Sequence, residues 1–323
     1  MNIDLLESVR LGDAAQWIRI RAANAGSPPL LLVQMGPALP MINEVRTFER
    51  VLSLEDDFTV IYWDQRGCGR SLRSASPTQK LDLQAMVDDT EQLLELLRAR
   101  FGVPAAVVGF SMGATISAYV AARRPDLLAA LVTVGMDIDG AAIGENAYEF
   151  ALKAARDQSN RKAIRQLEAI GPPPHLEPKQ FGTRMRWDLN FGGARTGYTY
   201  GSSARGLASS LLRSPDYSLA DIFRIFGRMA ATQAALLPDI AALDLMRTVT
   251  RLEVPIVMAQ GRLDQVAPPA VAEQYAALLE APSKQLVWFE HSAHMPHLEE
   301  PERFSELLAT VRLGLPARTG ETR

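Results

Sequence analysis

Short apolar runs alternate with longer amphipathic stretches in the first part of the chain. The runs are dense in Leu, Ile, Val and Ala, which is typical of buried strands. Leucines at helical spacing predict an amphipathic helix that leads to a turn at Gly102. We predict strands at 16–22, 29–33, 58–63, 105–108 and 128–134, and helices at 43–54 and 81–101. This alternation predicts an α/β fold.

The alternation stops after residue 137, and strand patterns return at 252–260 and 284–289. Helical stretches and a proline-rich break at 171–174 fill the intervening segment. We interpret that segment as an inserted element that covers a site on the main domain. The predicted parts are a first core segment (1–137), a helical cap (138–245), a second core segment (246–314) and a disordered tail (315–323).

Composition narrows the function classes. With 323 residues, 47% of them hydrophobic, the chain can bury one large core. A net charge of −3 offers no basic surface for nucleic acid or for an anionic membrane, and the apolar runs are too short to span a bilayer. The first residues lack a secretory signal, and the lone Cys68 suits a reducing compartment, so we expect a cytoplasmic protein.

We expect a small-molecule or short-peptide substrate. No cluster of metal ligands and no glycine-rich phosphate motif is visible in the sequence, so we expect neither a metal nor a cofactor. A homo-oligomer is compatible with the composition. Cys68 has no turn around it that would present a nucleophile, and we expect it to be structural.

The stretch 109–113, Gly-Phe-Ser-Met-Gly, predicts a nucleophile elbow at Ser111. It follows an apolar run and precedes a helix-like one, so the serine would stand on a tight strand-to-helix turn with its hydroxyl above the sheet. Small residues are needed two positions before and two after, and glycine occupies both. A serine needs a general base to become nucleophilic and an acid to orient that base.

Acid and base candidates follow in the order serine, acid, histidine. Asp264 ends the turn after the strand at 252–260, and a loop after the strand at 284–289 contains His291, His294 and His297. Any of the three could be the base on spacing alone. Asp137, which follows the strand at 128–134, is a reserve acid.

The stretch 63–71, Trp-Asp-Gln-Arg-Gly-Cys-Gly-Arg-Ser, resembles the Asp-Gln-Arg-Gly-x-Gly-x-Ser signature of proline iminopeptidase-like α/β-hydrolases. Strand, oxyanion loop, signature, elbow, acid and base occur in that family's order over residues 15–137 and 246–313. The resemblance implies an α/β-hydrolase fold, with a mostly parallel central sheet, flanking helices and an inserted helical cap. It also implies a cofactor-independent serine hydrolase that cleaves a small ester or amide through an acyl-enzyme.

The same resemblance selects site residues. The stretch 294–301 resembles the superfamily's His-x-Pro-x-x-Glu-x-Pro ending, in which the first histidine is the base, and this favours His294. His291 and His297 are then expected to be surface or helix-cap residues. The backbone N–H of Met112 is expected to form one half of the oxyanion hole. Gly36, in the loop 34–38, is expected to donate the other, by alignment on the family's Gly-Pro pair.

The chain departs from the family in two motifs. Its oxyanion loop reads Gln-Met-Gly-Pro-Ala where the family has His-Gly-Gly-Pro-Gly, and Phe110 and Met112 flank the serine where the family has Gly and Trp. An esterase, a lactonase or a C–C bond hydrolase on the same triad is therefore an alternative, and a non-catalytic ligand-binding protein is a second. Family members hold a substrate amine with cap carboxylates. Glu145, Glu149 and Asp188 are the candidates here, although each is typical of an exposed surface charge.

Overall fold

A computed structural model describes residues 2–34, 36, 38–76 and 79–315. Met35 and Pro37 of the predicted oxyanion loop lie outside the described residues, as does the predicted tail 315–323 except for Leu315.

Eight strands of the described residues form one sheet in the order β1-β2-β4-β3-β5-β6-β7-β8. Strands β3 to β8 run parallel, whereas β1 and β2 form an antiparallel edge. The strands are β1 (Ile3–Leu11), β2 (Ala14–Ala22), β3 (Pro29–Val33), β4 (Thr59–Asp64), β5 (Ala105–Phe110), β6 (Leu128–Val134), β7 (Ile256–Gly261) and β8 (Lys284–Phe289). This architecture confirms the predicted α/β-hydrolase fold.

Helices cover both faces of the sheet. Because side chains alternate along a strand, neighbouring residues of β5 point to opposite faces: Val107 packs with α3 and α4, and Val108 packs with α1 and α13. The helices of the described residues are α1 (Val45–Val51), α2 (Leu54–Asp57), α3 (Leu83–Phe101), α4 (Met112–Arg123), α5 (Gly140–Asp157), α6 (Arg161–Ile170), α7 (Pro178–Asn190), α8 (Tyr200–Arg213), α9 (Leu219–Ala241), α10 (Leu245–Thr248), α11 (Pro269–Leu278), α12 (Pro296–Glu299) and α13 (Pro301–Leu313). None of these helices combines the length and the apolar character that a membrane span requires.

The helix predicted at 43–54 is divided in the structure. A short 3₁₀ turn, Ile42–Glu44, precedes α1, and α2 starts only at Leu54. Ser53 separates the two helices with φ of 49°, a left-handed conformation that an α-helix cannot contain. The prediction of one continuous helix at 43–54 was therefore wrong.

Six of the described helices, α5 to α10, lie between β6 and β7, and α5 to α9 fall within the predicted insertion, residues 138–245. Helices α5, α6 and α7 share a small core of their own, in which Ala151, Ala163, Leu167 and Trp187 are buried. Helices α8 and α9 instead contribute Leu211 and Ile225 to the core on one face of the sheet. The insertion is thus partly self-contained and partly continuous with the main domain.

The connection between α8 and α9 is held to the sheet by polar contacts. The Tyr217 hydroxyl donates to Asp64 at 2.6 Å, and Arg19 of β2 pairs with Asp216 at 2.7 Å. Arg73 pairs with the buried carboxylate of Asp221 at the start of α9. Three contacts between segments far apart in sequence therefore fix this end of the insertion.

The residues of the signature stretch have structural contacts. Asp64 is fully buried and accepts hydrogen bonds from the backbone of Met41 and Ile42 at 2.9 and 3.0 Å. Arg66 is also buried and donates to Asp89 of α3 and, at 2.6 Å, to the carbonyl of Lys80. The signature therefore ties the loop after β4 to its neighbours.

Candidate active site

Ser111 occupies a strained turn between β5 and α4. Its φ and ψ are 51° and −122°, which a non-glycine residue seldom adopts. The surroundings leave no space for larger neighbours: a Cβ on Gly109 would lie 2.5 Å from Ala114 Cα, and one on Gly113 would lie 2.3 Å from the carbonyl oxygens of Val33 and Gln34. The sequence pattern of the elbow therefore has its expected geometry.

The close contact at Gly113 places the loop after β3 beside the first turn of α4. Met112 is the first residue of α4, so its N–H is among those without a partner inside the helix. Gly36 lies two residues beyond Gln34 and has φ of 58°. Ala38, where the family has glycine, is buried and also takes a positive φ, 73°, so the departure in sequence preserves a left-handed turn at the cost of strain.

His294 and Asp264 form a buried pair. The Nδ1 atom of His294 lies 2.8 Å from Oδ2 of Asp264. The other carboxylate oxygen of Asp264 accepts backbone N–H groups of Val266 and Ala267, both at 2.8 Å. These donors fix the carboxylate, which in turn fixes the orientation of the imidazole.

Two glutamates hold the loop that carries His294. Glu299 accepts hydrogen bonds from the backbone of Ala293 at 3.1 Å and of Met295 at 3.3 Å, one residue on either side of the histidine. It also accepts from Thr196 at 2.9 Å, in the segment after α7. Glu300 accepts from the hydroxyl of Ser292 at 2.6 Å. The two consecutive acids therefore position the imidazole and link its loop to the helical insertion.

The charges around His294 act on its pKa. Burial lowers the pKa, but the charge and hydrogen bond of Asp264, together with the charges of Asp137 and Asp188, outweigh burial and raise it to about 9. The ring packs against Gly135, where a Cβ would lie 2.8 Å from Nδ1. The imidazole is therefore confined between a carboxylate and bare backbone.

The remaining histidines lie apart from this pair. His291 is exposed, as expected. His297 is only 1% exposed and packs among the rings of Phe48, Phe110 and Phe304, so the expectation that it would be a surface or helix-cap residue was wrong. Burial lowers its pKa to about 3 and keeps it neutral.

Asp137 approaches the serine rather than the histidine. The Ser111 hydroxyl lies 3.3 and 3.4 Å from its two carboxylate oxygens. Burial is the largest influence on this carboxyl, and it raises the pKa to about 6. Because Asp264 already pairs with His294, the reserve assignment of Asp137 as the orienting acid has no geometric support.

One carboxylate of the insertion faces the same site. Glu145 and Glu149 are exposed on α5, but Asp188 of α7 is only 3% exposed, so the surface position expected for Asp188 was wrong. Its Oδ1 has no hydrogen-bond partner among the described residues. Burial first, and then the charge of Asp264, raise its pKa to about 7. Asp188 was predicted as a candidate for binding an amine, but no pattern in the sequence indicated that its side chain is buried.

Cys68 is buried below the oxyanion loop. Its thiol contacts Gln34 Oε1 and the carbonyl of Gln65, both at 3.2 Å. Burial raises the pKa of the thiol well above its usual value. The thiol is therefore no nucleophile, and the described residues contain no group of three or more potential ligands arranged for a metal ion.

Comparisons with known proteins show the family of the chain. The chain is 26% identical over 310 residues to the probable aminopeptidase YbaC of Bacillus subtilis, covering 95% of this chain and 96% of that protein. It is 27% identical to the pimeloyl-[acyl-carrier protein] methyl ester esterase of Neisseria meningitidis, over 68% of this chain and 73% of that protein. The crystal structure of proline iminopeptidase from Mycobacterium smegmatis superposes with a TM-score of 0.69 at 20% identity, covering 96% and 98% of the two chains. Residues 28–301 match the family described as alpha/beta hydrolase fold, and the chain belongs to that family.

Proposed function

We propose that this α/β hydrolase is a cytoplasmic serine hydrolase that cleaves a small amide or ester through an acyl-enzyme, with Ser111, His294 and Asp264 as its catalytic triad. The observation that carries the proposal is the 2.8 Å pairing of His294 with buried Asp264, in loops that follow the carboxyl ends of β8 and β7, at the edge of the parallel strands where Ser111 follows β5 in a strained turn. The α5–α9 insertion serves as the cap that shields the reaction from water.

The first half of the reaction forms the acyl-enzyme. Ser111 leaves its hydrogen bond with Asp137, transfers its proton to His294 and attacks the substrate carbonyl carbon. The backbone N–H groups of Met112 and Gly36 stabilise the oxyanion, each worth about 10²–10³ in rate. His294 then gives its proton to the leaving amine or alcohol, while Asp264 stabilises the imidazolium.

The second half releases the acid. His294 removes a proton from water, which attacks the ester carbonyl of the acyl-enzyme, and the same oxyanion site stabilises the second intermediate. Collapse of that intermediate returns the proton to Ser111. No cofactor takes part in either half.

We further propose that the preferred substrate carries a free amine, as an aminopeptidase substrate does. Buried Asp188 has an oxygen without a partner, and Asp137 lies beside Ser111. An α-amine is two bonds from the carbonyl carbon that the serine attacks, so we assign its neutralisation to these two carboxylates. The aminopeptidase named among the relatives supports the same choice.

An esterase that needs no amine is the second candidate. The apolar side chains of Phe110 and Met112 on either side of the serine and the similarity to a methyl ester esterase favour it. The two candidates share a mechanism and differ in what Asp188 contributes.

The test compares prolyl- and alanyl-nitroanilide with a short-chain nitrophenyl ester. Ser111→Ala is expected to lose at least about 10³ in kcat on every substrate that the wild type cleaves. Asp188→Asn should raise KM for the two anilides and leave the ester unchanged, and Glu149→Gln, an exposed cap carboxylate, is the matched control. Ester cleavage alone would select the esterase. Activity that survives Ser111→Ala, or silence on all substrates, would refute the triad and leave a ligand-binding role.

A further inference from the structure

Arg184 is a buried cation that forms no ion pair with any described residue, and its guanidinium lies 5.2 Å from the centroid of the Phe181 ring. It lies on α7 and is 8% exposed. Its one hydrogen bond to a described residue runs from Nη1 to the carbonyl of Gly144 at 3.5 Å, which is long. Within the described ranges, no carboxylate oxygen comes within 4.0 Å of the guanidinium, whereas the buried Arg66 is paired with Asp89.

Helix α7, which carries Arg184, nevertheless ends beside the candidate active site: the carbonyl of Gly193, just beyond the helix, accepts from the backbone N–H of Gln265, next to Asp264, at 3.0 Å. The positive charge of Arg184 lowers the pKa of Asp188, one helical turn further along α7, and that of Asp137, which contacts Ser111. The opposing position on α5 is Gly144, where a Cβ would lie 3.3 Å from Nη1. A side chain at that position would crowd the guanidinium and also Pro173, whose Cβ would lie 3.2 Å away.

A buried guanidinium is costly unless its donors are used. Arg carries five N–H donors in a planar fork that matches a carboxylate through two parallel hydrogen bonds. An ion pair within the protein would bring a carboxylate of Asp188 or Asp137 against the guanidinium of Arg184. The oxygens of both carboxylates lie more than 4.0 Å from its nitrogens. Arg184 and Asp188 therefore stay unpaired with each other, although Oδ1 of Asp188 has no hydrogen-bond partner among the described residues.

We propose that Arg184 binds a carboxylate group of the substrate, so that the substrate carries an anionic group as well as the ammonium group assigned above. This inference rests on the proposed function, because it places the ligand next to Ser111. The opposite signs of Arg184 and Asp188 then select small zwitterionic amides or esters and disfavour substrates with an uncharged group at the arginine.

The alternative explanation is that Arg184 acts on other residues of the protein and does not bind the substrate. Arg184 would then serve only to keep Asp137 and Asp188 ionised, and its removal would affect all amine ligands equally. The two explanations differ in one measurement, which is the discrimination between ligands that differ only in a carboxylate.

The experiment measures binding by titration calorimetry to Ser111→Ala protein, which separates binding from turnover. The first matched pair is the α-amide of L-glutamate against the α-amide of L-glutamine, with the carboxylate on the acyl side. The second pair is alanyl-glycine against alanyl-glycinamide, with the carboxylate on the leaving side. In at least one pair, the carboxylate ligand should bind at least about tenfold more tightly than the amide.

The role of Arg184 is then tested in the same background. Arg184→Met should abolish the preference, Arg184→Lys should retain part of it, and Arg186→Met, an exposed arginine of the same helix, should leave it intact. Circular dichroism checks that each variant folds. If Arg184→Met does not fold, the comparison of wild type with Arg184→Lys still tests the proposal.

A wild-type preference under about twofold in both pairs, or a preference that persists in Arg184→Met, would overturn the proposal. Equal weakening of both members of each pair would show that Arg184 acts on Asp137 and Asp188 and does not bind the substrate. Because binding is measured without turnover, a failure of the hydrolase proposal would appear in the anilide and ester assays and not here.

Discussion

The hydroxyl of Ser111 lies 3.3 Å from one carboxylate oxygen of Asp137 and 3.4 Å from the other. The serine is therefore directed toward an acid, although His294 and Asp264 form a complete pair nearby. An ionised Asp137 holds the serine proton and also stabilises the protonated imidazole. Holding the serine proton opposes the first step of the proposed reaction, and the raised pKa of His294, about 9, leaves less neutral imidazole at lower pH, so a substrate ammonium that neutralises Asp137 favours attack.

Activity should rise with pH up to about 9. Burial lowers the pKa of His294, but the charges of Asp264, Asp137 and Asp188 raise it to about 9, and only the neutral imidazole accepts the serine proton. Asp137→Asn removes one negative charge and should move the inflection of kcat/KM to lower pH. A pH–rate profile with a nitrophenyl ester, which does not titrate in this range, measures the shift. Glu145→Gln, an exposed change on α5, should leave the inflection in place, and an unmoved inflection in Asp137→Asn would contradict the electrostatic account.

Glu299→Gln should slow the reaction without removing any reacting group. The amide has only one oxygen acceptor for the backbone donors of Ala293, Met295 and Thr196, so the His294 loop loosens. A displacement of about 1 Å in a catalytic group can cost 10²-fold, and we expect a decrease in kcat of at least about tenfold with a small change in KM. Steady-state kinetics measures both constants. Glu302→Gln, an exposed change on α13, is the control, and wild-type kcat in Glu299→Gln would refute the positioning role.

Gly113→Ala should destabilise the fold by about 3 kcal/mol or more. The new Cβ would lie 2.3 Å from two backbone oxygens of residues 33 and 34, which cannot rotate away as a side chain can. Gly227→Ala in α9 is the matched control, because its Cβ meets nothing within 4 Å and alanine favours a helix by about 0.5–1 kcal/mol. Urea unfolding of both variants gives the comparison, and equal stabilities would show that the strand and helix can separate at the elbow.

His297→Leu should stabilise the protein by about 1–2 kcal/mol. Neither ring nitrogen of His297 has a hydrogen-bond partner among the described residues, and a buried polar group without a partner costs about 1–3 kcal/mol. Leucine is apolar and near in volume, so it suits the cluster of phenylalanine rings. Thermal unfolding and ester hydrolysis test the two expected results, a higher Tm and retained turnover. Loss of turnover in a folded variant would give His297 a place in the reaction.

The sequence predicted those parts of the fold that depend on local pattern. The bounds of β6 and β8 match the predicted runs, because short apolar segments between turns have no competing structure. Strand β1 was missed, since most of Ile3–Leu11 is exposed or half-buried and the strand is defined by its pairing with β2. The sequence of an edge strand of this kind lacks the buried apolar pattern by which strands are predicted.

The candidate site, like the fold, could be predicted from the sequence only in part. Ser111, Asp264 and His294 follow from turns at strand ends, which sequence order can place. The burial of Asp188 and Arg184 depends on how α7 packs against the main domain, and that relation is set by tertiary contacts alone. His297 was misjudged for a similar reason, because the rings around it come from α1, the elbow and α13.

The insertion is attached to the main domain in more than one place. Tyr217, Asp216 and Asp221 connect the α8–α9 junction to Asp64, Arg19 and Arg73. The carbonyl of Ala194, in the segment after α7, accepts from the backbone N–H of His294 at 3.1 Å. Arg184 and Asp188, the two charged residues proposed to bind the substrate, therefore lie on a helix whose end is joined directly to the loop of the proposed catalytic histidine.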